Sequence, residues 1–365
     1  MKVLPTSSTA ADRLAERLMA LLVFANILFF VVFLLSLGTA LKANATDVAQ
    51  SSQQSTCVGE NLAEKMKTQD PARYQQILDE GKAVENGDAV MWLVTREGAR
   101  PSFLLGTMHS ADPRVRKLAP EAEAALARAD RILIENTEVL DPRKTQEALV
   151  KYKEMTLLLD GTTLDQKVPA ESVEALQAAV EERNMPWQIA RHMQPWMIAA
   201  AIAIPVCEVE AKKSGMEVLD TTIGNFALEN DKMLVGLETI EEQFRAVASI
   251  PAEFHFNALN ETLKLGSLSD SVMETTKQLY LSGKIGMLLP LVRAFAPTTY
   301  SGKGYAEFQE LLIARRNVTM VERAADHLEN GNVFMAVGAL HLPGTKGIVR
   351  LLQDKGYALT PITSM

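Results

Sequence analysis

Two short segments carry a histidine at the same distance from a glycine. Phe103-Leu104-Leu105-Gly106-Thr107-Met108-His109 is an apolar run that stops at a glycine and delivers an imidazole three residues later. Phe334-Met335-Ala336-Val337-Gly338-Ala339-Leu340-His341 repeats the figure, with Gly344 just after Pro343. A strand that ends in Gly-x-x-His places the imidazole on the loop at the strand's carboxyl end, where open α/β sheets bind ligands. Two further apolar runs end on an acid: Arg131-Ile132-Leu133-Ile134-Glu135 and Lys232-Met233-Leu234-Val235-Gly236-Leu237-Glu238. Two imidazoles and two carboxylates are a ligand set for a divalent metal (Mn, Co or Zn), and they include a general base. Glu238 also reads as a cap, because Thr239 to Phe244 has a helix pattern. Arg316 could bind a carboxylate or steady an oxyanion, and reads equally as half of a surface salt bridge. His192 reads as structural, and His255 and His327, in helical patterns, have weak claims as ligands.

The elements that must position these groups follow from periodicity. Met91 to Val94 and Phe103 to Leu105 form a hairpin around Arg96 to Pro101. Arg114 to Ala129 has helical spacing behind an Asp112-Pro113 start, and the Arg131 strand follows it. Strand, helix, strand implies a right-handed crossover with parallel strands, so His109 and Glu135 should emerge on one edge of the sheet. Helix then strand recurs at Leu219 to Glu238 and at Val318 to His341, and a last helix, Thr345 to Gln353, leads to the strand Ala358 to Ile362. The expectation is an α/β fold: a mixed central sheet with helices on both faces, and a helical insertion at about 240–316 forming a lid or second lobe. His109, Glu135, Glu238 and His341 would then line one edge. Residues 141–210 are mostly helical, with Trp187, Met193 and Trp196 on an apolar face that reads as core.

The 365 residues are 47% hydrophobic and 22% charged, which is ordinary globular composition, and the net charge of -8 argues against a nucleic-acid partner. Leu18 to Leu37 is almost unbroken apolar sequence preceded by Lys2, Arg13 and Arg17. That is enough for the about 20 residues a bilayer span needs. Ala43-Asn44-Ala45 follows in the small-x-small form that a signal peptidase reads. Residues 1–45 are therefore expected to be a signal peptide or a transmembrane anchor, with residues 46 onward outside the cytoplasm, in the periplasm or on the outer face of the inner membrane. A Ser/Gln-rich linker and a helical segment occupy 46–87, and the α/β domain begins at about 88. Cys57 and Cys207 are the only cysteines, and in an exported protein an even pair most simply makes one disulfide.

Taken together, Gly106-Thr107-Met108-His109, Glu135, the Gly215 to Asp220 segment, Gly236-Leu237-Glu238-Thr239 with Gln243, Arg316-Asn317 with Met320, and Val337-Gly338-Ala339-Leu340-His341 resemble the TraB/GumN family. That family includes the Tiki-type membrane-tethered metalloproteases and looks related to erythromycin esterases and ChaN-like haem-binding proteins. The resemblance covers roughly residues 88 to 365. It implies His109 and His341 as metal ligands and Glu135 as ligand or base, while Glu238 is added from its strand end and Arg316 carries over without a settled role. The expected function is an envelope-associated metal-dependent hydrolase, cleaving a peptide or protein substrate. Two alternatives stay open: a haem- or metal-binding protein without turnover, and a metal-free esterase with a histidine base.

Overall fold

The computed structural model describes Cys57 and residues 59–362. The apolar span, the cleavage pattern and most of the linker lie outside these residues. Among the described residues, no helix is long and apolar enough to cross a membrane.

Six strands form one mixed sheet: β1 (Met91–Thr95), β2 (Ser102–Thr107), β3 (Arg131–Ile134), β4 (Met233–Gly236), β5 (Val333–Gly338) and β6 (Ala358–Ile362), in the order β4-β3-β5-β2-β1-β6. The strands β4, β3, β5 and β2 run parallel. β1 is antiparallel to both β2 and β6, and Met91 faces Leu105 across the hairpin. β5 enters the sheet between β3 and β2, so the second histidine loop lies between the ends that carry Glu135 and His109.

Both faces of the strands are covered, as near-continuous apolar runs require. Successive side chains point to opposite sides of a strand, and the core divides accordingly. Leu104, Leu133, Val333, Met335 and Val337 pack with Met320, Val321 and Ala324 of helix Arg315–Asn330 and with Val349 and Leu352 of helix Ile348–Asp354. Leu105, Ile132, Ile134, Phe334 and Ala336 pack on the other face with Ala122, Ala125 and Leu126 of helix Pro120–Arg128 and Leu219, Ile223 and Ala227 of helix Leu219–Glu229. Leu104, Ile132, Leu133 and Phe334 are wholly buried, each contributing about 1.5–3 kcal/mol. This confirms the α/β fold with a mixed sheet between helical layers.

A third core lies within the helices. Leu164, Leu176, Val180, Trp187, Ile198 and Ile202 pack with Leu259, and helix Pro195–Ala203 lies along helix Ala252–Leu265. Helix Ala252–Leu265 thus shares a core with residues from the earlier helical segment. Cys57 and Cys207 form a disulfide with a Cα–Cα distance of 5.4 Å, which joins the segment just before helix Leu62–Gln69 to helix Val206–Lys213.

One expected element is broken. The helix read as continuous from Arg114 to Ala129 is two, Pro113–Arg116 and Pro120–Arg128. The residue before a proline avoids the α region, and Ala119 is extended (φ -65°, ψ 154°) ahead of Pro120. The helix leading to β5 runs from Arg315 to Asn330, behind a π-helical turn at Gln309–Ala314.

Gly106 is where the two Gly-x-x-His segments approach. A Cβ there would lie 3.0 Å from Ala339 Cα and 3.0 Å from a Leu342 methyl. Gly106→Val should therefore overpack this contact and lower the unfolding free energy by about 1–3 kcal/mol, read from urea denaturation; unchanged stability would refute the close fit.

Candidate active site

Four parallel strands end on one edge, and the residue or loop beyond each carries a functional group. In spatial order these are Glu238 beyond β4, Glu135 beyond β3, His341 beyond β5 and His109 beyond β2. The sheet is continued past its last ladder by Glu238 N–H donating to the Glu135 carbonyl at 2.7 Å. The Gly338 N–H donates to Glu135 Oε1 at 2.6 Å, and a Cβ on Gly338 would lie 3.1 Å from that same oxygen. A side chain at this position would crowd the carboxylate, and the glycine leaves room for the approach.

Arg316 joins the two acids. Its Nε donates to Glu238 Oε1 at 2.9 Å, and its Nη2 donates to Glu238 Oε2 at 2.6 Å and to Glu135 Oε2 at 2.7 Å. The three side chains are only 15%, 2% and 12% exposed for Arg316, Glu238 and Glu135. Arg316 Nη1 lies 3.4 Å from the Leu312 carbonyl in the π-helical turn, a geometry that leaves carbonyls free of the regular ladder. Gln243 Nε2 lies 3.4 Å from Glu135 Oε2, and its own Oε1 accepts from Asn136 Nδ2 at 3.1 Å. Burial pushes the Glu135 carboxyl up, but the charges of His341, Arg316 and His109 and the Gly338 N–H outweigh it and hold the group down at about 2. Glu135 is thus an anion at neutral pH. Both Glu238 oxygens are engaged by the guanidinium, whereas Glu135 Oε1 faces His341 Nε2 at 3.8 Å.

The two imidazoles are oriented by different partners. Asn317 donates from Nδ2 to the Lys346 carbonyl at 2.8 Å, an acceptor that only the amide NH2 can satisfy. Its Oδ1 therefore faces His341 Nδ1, at 2.6 Å, so that nitrogen carries the hydrogen and Nε2 presents its lone pair towards Glu135. Burial pushes the His341 imidazole down to about 4, so the ring is neutral at pH 7. His109 instead sets Nδ1 2.8 Å from Asp220 Oδ2, and Thr107 Oγ1 donates to the other oxygen of Asp220 at 2.5 Å. The negative charge of Asp220 raises the His109 imidazole to about 9. The ring is otherwise open, with 64% of the side chain exposed.

Sequence reasoning named Asp220 and Asn317 only as members of motif segments. Asp220 sits in the first turn of helix Leu219–Glu229, where an acid looks like a dipole partner, and Asn317 sits beside Arg316 as an ordinary helix residue. The signal for each was a polar residue placed where a helix begins near the sheet edge. His255 donates from Nε2 to the Val247 carbonyl at 3.1 Å, away from this edge.

The donor chemistry fits a divalent cation: two imidazoles held at Nδ1 by oxygen acceptors, each leaving Nε2 free, beside an ionised carboxylate. In this conformation, among the described residues, no three His, Cys, Asp or Glu side chains are gathered closely enough to hold an ion.

Fold and edge together define an α/β protein with a histidine–carboxylate–arginine site at the carboxyl ends of parallel strands. The chain belongs to the TraB/PrgY/gumN family, whose model matches residues 90–361. It is similar to the Metalloprotease TIKI homolog of Nematostella vectensis, at 24% identity over 77% of this chain and 69% of that protein. It is also similar to Metalloprotease TIKI1 of Danio rerio, at 25% identity over 74% of this chain and 62% of that protein. The chain thus spans about two thirds of these relatives' length. No solved structure matches it significantly.

Removing the guanidinium leaves two buried carboxylates facing each other without a cation. Arg316→Met should cost about 3–5 kcal/mol, and the added Glu238→Leu change should recover part of it, because replacing both members of a buried pair is better tolerated than breaking it. Urea denaturation of the single and double variants checks this; equal stability of Arg316→Met and wild type would refute a neutralising role.

Proposed function

We propose that the protein is an exported metal-dependent hydrolase that cleaves peptide bonds. The observation that carries this reading is the pair of imidazoles, each pinned at Nδ1 with Nε2 free, beside the ionised Glu135. The similarity to proteins named metalloproteases supports it. His109 and His341 would hold a divalent ion of the Mn, Co or Zn type, with the ionised Glu135 beside it. Bound there, such an ion supplies a Lewis acid for the scissile carbonyl and lowers the pKa of a bound water.

The protein's own groups divide the remaining work. Glu135 is the carboxylate placed to take a proton, since its Oε1 is turned towards His341 while Oε2 rests on Arg316. Glu238, fully engaged by Arg316, anchors the guanidinium in place of serving as a ligand. Arg316 and Gln243 supply the side-chain donors beside Glu135 and are positioned to steady negative charge that develops on substrate. Export is supported by the Cys57–Cys207 disulfide, a bond that persists in oxidising compartments, together with the apolar amino-terminal segment. The periplasm or the outer face of the inner membrane is the proposed location, with attachment to the membrane where the segment is retained.

The test compares wild type with a His109→Ala, His341→Ala double variant, both stripped by chelator and reloaded with Mn, Co or Zn. Wild type should bind about one ion per chain and cleave peptide only when loaded. The double variant should do neither, and Glu135→Gln should lose turnover by about 10²–10⁴-fold. Equal metal in wild type and double variant, with no cleavage by either, would overturn the reading.

Metal must also displace the His109 proton. At pH values below about 9 the imidazole is protonated, so affinity should rise about tenfold per pH unit between pH 6 and 8. Asp220→Asn lowers that imidazole towards its ordinary value and should flatten the slope above pH 7. Titration of metal binding against pH in both proteins checks this, and identical slopes would contradict the Asp220 assignment.

A further inference from the structure

The loop that presents His109 continues as Ser110-Ala111-Asp112, and all three residues are buried although the imidazole itself is exposed. Beneath them lies Lys277, whose side chain is 0% exposed. Its Nζ is 2.6 Å from Glu208 Oε1 and 3.3 Å from Asp112 Oδ2. Glu208 in turn accepts from Ser110 Oγ at 2.6 Å and from the Ala111 N–H at 2.8 Å. Arg114 donates to Asp112 and forks onto both oxygens of Glu274, at 2.8 and 2.7 Å.

One helix underlies the network. Glu274, Lys277 and Tyr280 project from helix Leu268–Leu281 at three-residue spacing, which places them along one face. Tyr280 reaches the other end of the motif, its hydroxyl donating to the Gly106 carbonyl at 2.8 Å. The same helix face therefore holds the backbone before His109 through Gly106 and, by way of Glu208, the backbone after it.

The charges are nearly balanced. Asp112, Glu208 and Glu274 are all held below the usual carboxylate range against the effect of burial, so three anions face two cations. The remaining acceptor capacity is met by Ser110 Oγ–H and the Ala111 N–H. Buried ion networks are poor sources of stability compared with apolar packing, and what they offer in return is a defined geometry.

We propose that the Glu208–Lys277 pair is a positioning device for His109, pinning the two residues after the imidazole to helix Leu268–Leu281 so that an exposed ring keeps a fixed direction. The proposal concerns the posture of the loop and stands whether or not the site hydrolyses peptides. Only its kinetic arm rests on that reading.

The test is a pair of double variants. Glu208→Gln with Lys277→Met removes both charges but keeps an acceptor for the Ala111 N–H and a partner for Ser110. Glu208→Leu with Lys277→Met removes the charges and the tether alike. Hydrogen exchange across residues 106–113 should stay close to wild type in the first and rise at least about tenfold in the second, with exchange in β3 and β5 unchanged. Ser110→Ala, which cuts a single bond, should give a smaller rise in a chain of wild-type stability, and it decides the matter if the leucine variant does not fold. Where peptide hydrolysis is found, kcat should fall further in the leucine variant than in the glutamine variant, with KM little changed. Equal loop exchange in all the folded proteins, or a rise spread equally over loop and strands in both double variants, would overturn the proposal. A wild type without hydrolysis would sink the functional reading and leave the exchange result to decide this one.

Discussion

The site depends on one guanidinium shared between two carboxylates. β3 and β4 are parallel neighbours, so acids just beyond their ends are forced to within a few ångströms of each other. Two anions that close, at 12% and 2% exposure, repel strongly in a medium that screens poorly. Arg316 resolves this with three donors in a planar fork, two to Glu238 and one to Glu135. A lysine would offer a point charge without the fork. The consequence is a division of labour, because Glu238 is consumed by the arginine while Glu135 keeps one oxygen for the Gly338 N–H and His341.

From that arrangement follows the difference between the imidazoles. His341 sits beside both the anion of Glu135 and the cation of Arg316, in a buried place where an amide, Asn317, orients it. A neutral ring costs least there, and its Nε2 lone pair is kept. His109 stands at the solvent-facing end of the same edge, and a carboxylate orients it instead. The protein thus presents one imidazole ready to donate a lone pair and another that must first lose a proton. That asymmetry makes the state of the site depend on what binds there.

Much of this edge was legible from residue spacing. Apolar runs of strand length ending in Gly-x-x-His or in an acid, with helices between them, are enough to infer parallel strands and a shared carboxyl edge, and β2, β3, β4 and β5 end as that pattern implies. The pairings across the edge were not legible, since Arg316 and Glu238 are 78 residues apart and Asp220 and His109 are 111 apart. Such contacts are settled by the strand order, in particular by β5 entering between β3 and β2. The helical part was harder, because Pro195–Ala203 and Ala252–Leu265 pack together from opposite sides of β4 in the chain. Helical periodicity shows an apolar face and is silent on its partner. The break at Pro120 was a local signal, hidden because Leu118, Ala122, Ala125 and Leu126 keep helical spacing across it.

An exposed histidine at a strand end poses a mechanical problem that the core cannot solve. The ring of His109 has solvent on most of its surface, so packing does not restrict its rotation, and the backbone of a strand-end loop is among the least protected parts of a fold. Two hydrogen bonds to Asp220, from Thr107 and from the ring, fix the imidazole relative to helix Leu219–Glu229. They fix its direction only if the loop backbone is itself held. The backbone is held from behind, by the Tyr280 hydroxyl on Gly106 and by Glu208 on Ser110 and Ala111. Burying Lys277 to secure Glu208 exacts a desolvation cost that a purely structural core would avoid by using apolar residues. The buried charges are therefore understood best as serving the open side of the site. From the interior, they hold the backbone beneath an imidazole that the fold leaves uncovered.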